Sequence, residues 1–372
     1  MATTTLTPER SAPPASSRAD RTNLKAMGEA ELEHFAADAL DQSAYRGRQL
    51  FRWLYGNGAV TFSAMTDLPK DLRERLCRTA RIDLARRVGL QTARDETTKA
   101  LFELPSGRRV ETVLIPHHDE ATGEPHRLTV CVSSQVGCAM GCRFCATGKM
   151  GFHQNLTAGE IFDQVWFMDQ LCRERYDRGV TNVVFMGMGE PMLNLANVRK
   201  SIGILTHEHS LHLSPRRVTV STVGLARRIH ELADDAVRYG LAVSLHAPTD
   251  EQRSAIMPIN ESTSTNLDAL KDAVQHFADA TGQRITYEYC LFKGVNDSEE
   301  DARRLAEITR WAPSKVNLMM YNAVAGADFE RTSEEQLDRF IQVLIQRGVI
   351  ATVRRSRGEE IDAACGQLAN DE

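Results

Sequence analysis

Short apolar segments alternate with longer amphipathic segments along the chain after residue 127. The apolar segments have the length of β-strands and lie at residues 128–132, 182–186, 217–221, 241–245, 284–291 and 316–321. Between them, apolar residues recur at the period of a helix, as at residues 158–172, 225–233 and 267–280. Six strand–helix pairs of this kind predict an α/β fold in which a parallel sheet curls into a partial, TIM-like (β/α)6 barrel.

The first third of the chain has a different pattern. Residues 29–87 repeat apolar positions at the helical period, whereas residues 88–116 alternate apolar and polar positions as strands do. The first twenty residues are rich in Thr, Ala, Pro and Ser and predict a disordered tail. We therefore divide the chain into a tail, a small helical domain, a β-linker, a barrel core and a C-terminal segment, at residues 1–22, 23–92, 93–123, 124–358 and 359–372.

Composition narrows the class of protein. The 372 residues are 42% hydrophobic and 26% charged, which suits one large domain with a smaller one. A net charge of −5 argues against a general nucleic-acid coat protein. No apolar stretch approaches 18 residues and no secretory signal is present, so we expect a cytoplasmic protein without a membrane span. Eight cysteines fit a reducing compartment better than a disulfide scaffold.

The helical domain carries a local basic segment. Residues 44–87 contain ten Lys or Arg against four Asp or Glu. Three aromatic residues, Tyr45 among them, are interleaved there with Arg46, Arg48 and Arg52. Phosphate pairing combined with stacking surface is what RNA binding needs. A solvated helical face explains such a charge run equally well, and the segment by itself leaves both interpretations open.

Three cysteines form the strongest chemical signal. Cys138, Cys142 and Cys145 have the spacing C-x3-C-x2-C and follow the first predicted barrel strand, at the strand end where barrel chemistry collects. Structural zinc and electron-transfer clusters usually take four protein ligands. Three thiolates leave one iron open, and this spacing is the signature of radical S-adenosylmethionine (SAM) enzymes, in which SAM binds that iron of a [4Fe–4S] cluster. Three free cysteines, or a zinc loop completed by a distant His, are the alternatives.

Polar residues follow the other predicted strands and are candidate SAM contacts. Glycine lets a backbone approach a ligand closely, and a carboxylate accepts hydrogen bonds from an ammonium group. Taken singly, each of these residues also suits an ordinary turn or helix cap. In chain order they are Gly189, Glu190, Ser221, Ser244, Leu245, His246 and Asn322.

Six segments carry a family resemblance. They read ETVLIP at 111–116, CVSSQVGC at 131–138, CRFCATG at 142–148, GMGEPMLN at 187–194, SLHAP at 244–248 and IDAACGQL at 361–368. In this order they resemble the RlmN/Cfr family of radical SAM RNA adenine methyltransferases, most closely its RlmN branch. The resemblance extends from about residue 44 to residue 368. One departure is the loop at 117–126, which is longer than we expect in the family.

The resemblance implies a mechanism. Cys365 would take a methyl group from one SAM, and a second SAM on the cluster would be cleaved to a radical that activates this methyl group. Glu111 would accept the proton from adenine C2. Cys131 would then release the product by forming a transient disulfide with Cys365. The implied reaction is C2 methylation of adenosine 2503 in 23S rRNA and of adenosine 37 in tRNA, with two SAM molecules consumed per turnover.

The same resemblance implies partners. These are 23S rRNA, tRNA and a flavodoxin- or ferredoxin-type reductant, and we expect a monomer. Further candidates for RNA contacts are Arg354, Arg355 and Arg357. The alternatives are C8 methylation of the same rRNA adenosine, as in the Cfr branch, another radical SAM activity, and a non-enzymatic Fe–S or zinc RNA-binding module. Another radical SAM activity would not need Cys131 or Cys365.

Overall fold

The structure, a computed structural model, describes residues 20–119, 121–262 and 265–369. The chain divides into two compact units, and the boundary in the sequence lies between Asp83 and Leu84. The predicted tail at 1–22 lies almost entirely outside the described residues. The division falls before the predicted boundary at 92/93, because residues 86–92 form a strand of the large sheet. Among the described residues, no helix is both long and apolar enough to cross a membrane.

The first unit is helical and has its own apolar core. Its elements in chain order are β1 (Thr22–Asn23), α1 (Glu29–Leu40), α2 (Ala44–Phe51), a π-helical turn (Arg52–Gly56), α3 (Lys70–Thr79) and β2 (Ala80–Arg81), with β1 parallel to β2. Leu40 and Leu50 are fully buried, as their helical spacing predicts. Gly47 lets α1 and α2 approach closely, since a Cβ atom there would lie 2.4 Å from the Cα atom of Glu33.

The second unit is built on one large sheet and a small hairpin. Its strands are β3 (Arg86–Thr92), β4 (Thr98–Glu103), β5 (Arg109–His118), β6 (Pro125–Cys131), β7 (Gln135–Gly137), β8 (Phe152–Asn155), β9 (Asn182–Phe185), β10 (Val218–Thr222), β11 (Gly240–Ser244), β12 (Ile285–Leu291), β13 (Ser314–Met320) and β14 (Ala351–Arg354). The large sheet has the order β14-β13-β12-β11-β10-β9-β6-β5-β4-β3, and β7 pairs with β8.

The sheet is parallel on one side and antiparallel on the other. Strands β6 and β9–β14 run parallel, which confirms all six predicted strands with shifts of a few residues at their ends. Strand β14 adds a seventh parallel strand. We did not predict it because it is short and has no residue that is fully buried. Strands β3–β5 extend the sheet as an antiparallel meander next to β6.

The helices of the second unit connect the parallel strands. They are α4 (Ala146–Lys149), α5 (Ala158–Tyr176), α6 (Leu195–Thr206), α7 (Ala226–Asp234), α8 (Asp250–Ile256), α9 (Ile259–Ser262), α10 (Leu267–Thr281), α11 (Glu299–Ile308) and α12 (Glu334–Gln346). Helix α5 begins with a capping box, in which Thr157 and Glu160 bond each other's backbone N–H groups.

The two faces of the parallel strands have opposite character. Val220, Val243 and Leu318 are fully buried, whereas their neighbours Ser221 and Ser244 line a cavity. Because successive side chains of a strand point to opposite faces, the apolar set packs outward and the polar set points into the barrel. The interior is therefore not filled by branched apolar layers as in a closed TIM barrel, and it leaves space for a polar ligand.

Candidate active site

The cavity lies at the carboxyl ends of the parallel strands and collects most of the predicted site residues. All three motif cysteines, Cys138, Cys142 and Cys145, line it. Predicted residues from the next three strands and from the C-terminal segment also line it, namely Gly189, Glu190, Ser221, Ser244, His246 and Cys365. The predicted contacts Leu245 and Asn322 are not part of this lining.

The cysteine loop is fixed by backbone hydrogen bonds. The N–H of Cys138 donates to the carbonyl of Gly151 on the hairpin side (2.9 Å), and the N–H of Cys145 donates to the carbonyl of Cys142 (3.1 Å). A Cβ atom on Gly148 would lie 2.9 Å from the Cys142 carbonyl oxygen, so this turn of α4 needs glycine. The three thiols are thereby held on one short, rigid loop.

The electrostatics of the three thiols fit a cluster. Burial raises the pKa of Cys138 to about 12, and burial also raises the pKa values of Cys142 and Cys145. Thiolates in this environment need a positive partner, which iron supplies when it binds. A structural zinc site usually takes four protein ligands, whereas three thiolates on one loop leave one iron of a cluster open, so this donor set suits a cluster better than zinc.

Glu190 presents a buried carboxylate to the cavity. The side chain is 3% exposed and accepts hydrogen bonds from the N–H groups of Met192 (3.0 Å) and Val223 (2.9 Å). Burial raises its pKa to about 7 in spite of these hydrogen bonds. Its own N–H donates to the side-chain oxygen of Gln135 (2.8 Å), and the preceding Gly189 has a φ of 100°. A carboxylate held in this way is a suitable acceptor for the ammonium group of SAM.

His246 is a neutral donor at the cavity wall. Its Nδ1 accepts a hydrogen bond from the N–H of Cys290 (3.0 Å), so the ring hydrogen is on Nε2. Burial lowers its pKa to about 3, which keeps the ring uncharged. The residue has a φ of 54°, and Phe144 packs edge-on against the ring at 4.9 Å. This fixed orientation suits recognition of a polar ligand group.

Asn322 acts on the C-terminal segment. Its side-chain amide donates to the carbonyl of Cys365 (3.4 Å), and its oxygen accepts from the hydroxyl of Ser356 (2.6 Å). These two hydrogen bonds stabilise the turn that carries Cys365. A direct SAM contact by Asn322 or Leu245 stays a prediction.

The C-terminal segment joins the cysteine loop to Glu111. The N–H of Ala146 donates to Gly366 (2.7 Å), and the hydroxyl of Thr147 donates to Leu368 (2.6 Å). One residue later, the N–H of Ala369 donates to the Glu111 carboxylate (2.9 Å). Cys365 directly precedes these contacts in the chain and is exposed, whereas Cys142 is buried.

Cys131 and Glu111 lie on the same inward face of neighbouring strands. Cys131 pairs with Val113 on β5, and Glu111 lies two residues away on that strand. Burial raises the pKa of Cys131 to about 12, with the nearby Cys365 adding to the effect. Both cysteines are thiols in the structure. The long loop at 117–126 extends the β5–β6 hairpin, so it leaves the pairing of Val113 with Cys131 intact.

The predicted RNA contacts fall into two groups. In the first unit, Arg46 donates to Gln49 and Arg48 forms an ion pair with Glu33 (2.6 Å), while Arg52 is exposed. Tyr45 is 55% exposed, but the neighbouring Tyr55 is fully buried and does not offer stacking surface.

In the second unit, Arg355 is exposed and Arg357 is half-buried. Arg354, the third candidate RNA contact of this group, lines the cavity, and its RNA contact stays a prediction. Sequence reasoning also missed Glu288 and Cys290, which line the same wall. The alternation Thr286, Glu288, Cys290 between buried tyrosines was the available signal, but it required knowing which face points inward.

Comparisons with known proteins agree with this geometry. The Radical SAM superfamily model matches residues 132–306, and the model of the ribosomal RNA large subunit methyltransferase N-terminal domain matches residues 22–82. The chain is 64% identical over 352 residues to the probable dual-specificity RNA methyltransferase RlmN of Salinibacter ruber, covering 95% of each protein. This chain belongs to the RlmN family. The dual-specificity RNA methyltransferase RlmN of Geobacter sulfurreducens is 44% identical over 346 residues, covering 93% of this chain and 91% of that protein.

A solved structure extends the match to three dimensions. The radical SAM methyltransferase from Sphaerobacter thermophilus superimposes with a TM-score of 0.86 at 43% identity, covering 94% of this chain and 100% of that one. The predicted radical SAM fold with an N-terminal domain is therefore confirmed. As in other radical SAM enzymes of the RlmN family, the cofactors are one [4Fe–4S] cluster and SAM.

Replacing Cys142 tests the cluster assignment. Protein purified without oxygen should carry about four irons per chain. Cys142→Ala should lose nearly all of them, because the cluster needs all three thiolate ligands to stay bound. Iron analysis and visible absorption measure this. Cys172→Ala is the matched control, since Cys172 is a buried cysteine of α5 and should keep its iron. Full iron content in Cys142→Ala would contradict the assignment.

Replacing Glu190 tests the SAM contact. Glu190→Gln keeps the size of the side chain but removes its charge, so SAM affinity should fall roughly tenfold to a hundredfold, the value of one charge-assisted hydrogen bond. Titration calorimetry on the cluster-loaded protein measures the affinity. Glu174→Gln, at an exposed position of α5, should bind SAM normally. Unchanged affinity in Glu190→Gln would move the ammonium site elsewhere.

Proposed function

We propose that this chain methylates C2 of adenosine in RNA, at adenosine 2503 of 23S rRNA and adenosine 37 of tRNA, through a methylated Cys365. The observation that carries the proposal is the composition of one cavity. The three motif cysteines and Cys365 line it together, and Glu111 reaches the same C-terminal segment through Ala369. An ordinary radical SAM activity has no use for a further cysteine, Cys365, that lines the same cavity as the three motif cysteines.

The chemistry of the substrate explains why such a site is needed. Adenine C2 is electron-poor and its hydrogen is hardly acidic, so it offers no nucleophile for direct methyl transfer. The cluster and SAM supply radical chemistry when bound. The protein then has three tasks: to carry the methyl group, to remove the C2 proton and to release the product.

Cys365 and Glu111 perform the first two tasks. Cys365 is exposed at the cavity, where its sulfur takes a methyl group from SAM and presents it to C2. Glu111 takes the C2 proton as general base. Lys99 lies 2.9 Å from the Glu111 carboxylate and Ala369 donates to it, so the base is oriented before the RNA arrives.

Cys131 performs the third task. Its thiolate attacks the Cys365 sulfur, and the product leaves as a Cys131–Cys365 disulfide forms. An external reductant must restore the two thiols, and a flavodoxin- or ferredoxin-type protein supplies electrons to the cluster. These requirements fit a monomer that works in the reducing cytoplasm.

RNA presentation requires binding energy. Bringing C2 to Cys365 needs an unstacked adenosine, which costs a few kcal/mol. Arg46, Arg48 and Arg52 in the first unit, with exposed Tyr45, offset this cost through phosphate contacts and stacking. Arg355 and Arg357 are the corresponding candidates in the second unit. Mass spectrometry of nucleosides from RNA treated with the enzyme tests the function as a whole, and it separates C2 from C8 methylation.

The two outlying cysteines give the sharpest test of the mechanism. Cys131→Ala should form the covalent RNA–Cys365 link but fail to release it, so an RNA–protein band should accumulate on denaturing gels. Cys365→Ala should show neither the band nor a methylated C-terminal peptide. The double variant should behave like Cys365→Ala because the release step comes later. Turnover by Cys365→Ala would overturn the mechanism.

The arginines of the first unit give a test of RNA binding. Replacing Arg46, Arg48 and Arg52 together by Gln should weaken binding and reduce the salt dependence, by about 0.7 in slope per lost phosphate contact. Binding measured at several salt concentrations gives this slope. The control removes three arginines that pair with acids on their own helices, Arg303, Arg304 and Arg339. An equal change in both variants would mean that only total charge matters.

A further inference from the structure

Two charged residues on the inward face of the sheet have no part in the roles above. Glu288 on β12 and Arg354 on β14 flank β13 and line the cavity together with Cys365. Glu288 is 4% exposed. A buried charge such as that of Glu288 costs free energy unless it is paired, so its presence at the wall of the site calls for an explanation.

Glu288 is placed to hold Arg354. One carboxylate oxygen, Oε1, accepts a hydrogen bond from the side-chain amide of Asn317 (2.8 Å). The other, Oε2, lies 3.8 Å from an Arg354 nitrogen and has no hydrogen-bond partner among the described residues. Burial raises the pKa of Glu288, and the charge of Arg354 is the strongest effect opposing this rise. Arg354 therefore favours the charged form of Glu288, and the carboxylate lies within ion-pair distance of the guanidinium.

Arg354 lines the cavity together with Cys365, and the strand register gives it the same inward face of the sheet as Cys131. The charge of Cys365 is the largest cause of the raised pKa of Arg354, and Glu288 and Cys131 add to it. The charged or titratable groups that act on Cys131 are Cys365 and Arg354, and Arg354 is the one that favours its thiolate. After burial, the charge of Arg354 is one of the causes that lower the pKa values of Arg127 on β6 and His117 on β5. The Arg354 side chain is 33% exposed, so it is accessible from the cavity.

The release step creates a need for this cation. Cys131 must attack as a thiolate, yet burial raises the pKa of its thiol to about 12. We propose that Arg354, anchored by Glu288, stabilises the Cys131 thiolate and directs it to the sulfur of Cys365. Arg354 acts at the reacting sulfur, and Glu288 is a positioning residue. The inference rests on the proposed function, because it assigns a residue to that function's release step.

The step balances without a further reagent. The S–S bond between Cys131 and Cys365 forms as the C–S bond between Cys365 and the RNA-bound methylene breaks. The electron pair of the C–S bond passes to the methylene carbon, which takes a proton and becomes the methyl group. The two sulfurs are oxidised by two electrons and the carbon is reduced by two.

A model of this step can be measured on the cluster-loaded protein without SAM or RNA. Oxidised glutathione should convert the exposed Cys365 to a mixed disulfide, which Cys131 then displaces. Intact-mass spectrometry follows the lifetime of this mixed disulfide. This lifetime should be short in the wild type and long in Cys131→Ala. In Arg354→Gln it should persist about ten times longer than in the wild type, the effect of about one pKa unit at Cys131.

Charge retention separates this role from a packing role. In Arg354→Lys, which keeps a cation, the mixed disulfide should decay at close to the wild-type rate. If Arg354 had only a packing role, the decay would be equally slow in Arg354→Lys and Arg354→Gln. Glu288→Gln should slow the decay severalfold by releasing Arg354, and faster decay would overturn the anchoring role. Because Arg354→Gln leaves a buried charge unpaired, the double variant Glu288→Gln/Arg354→Gln removes both charges and should be as slow. Arg347→Gln, at an exposed turn before β14, should match the wild type.

The outcomes distinguish this inference from the proposed function. With SAM and RNA present, Arg354→Gln should accumulate the RNA–protein band and clear it slowly, whereas Cys131→Ala never clears it. If Cys131→Ala forms the band but Arg354→Gln and the double variant resolve the mixed disulfide at the wild-type rate, the role of Arg354 is wrong and the function stands. If Cys131→Ala forms no band, the release step of the function fails, and the glutathione assay still decides whether Arg354 controls Cys131.

Discussion

The site depends on the parallel hydrogen-bond register of β6 and β9–β14. This register brings the carboxyl ends of the strands to one edge and gives every second side chain the same inward direction. Ser221, Ser244 and Glu288 therefore meet at one wall although they come from three different strands. A slip of one residue in any strand would exchange its polar and apolar faces and would destroy both the cavity and the outer core.

Residues 365–369 complete the site. The backbone of Gly366 accepts a hydrogen bond from the N–H of Ala146, and the N–H of Ala369 donates to the carboxylate of Glu111. This attachment holds Cys365 at the cavity that the cysteine loop also lines, and Cys365 stays exposed. The proposed methyl carrier, which would react with SAM, RNA and Cys131 in succession, needs an anchored but accessible support of this kind.

Burial of charge is the second constraint on the site. The thiols of the cysteine loop, Glu190 and Glu288 are all buried, and burial disfavours the charged form of each. In the proposed site, the irons of the cluster, the SAM ammonium group and Arg354 would supply positive charge next to them. The proposed site is thus electrostatically matched to its cofactors, and in our inference the pair Glu288–Arg354 extends the same principle to the release step.

The sequence by itself determined the strand–helix alternation, the cysteine loop and the order of the family segments, because these depend on local period and spacing. Its family resemblance also assigned the proposed reactive residues Cys131, Glu111 and Cys365. It did not predict β14, whose short exposed pattern carries little signal, and it named Arg354 only as a candidate RNA contact. Only the tertiary structure decided that Arg354 and Glu288 line the cavity with Cys365, because inward direction in a parallel sheet is set by register between strands distant in sequence.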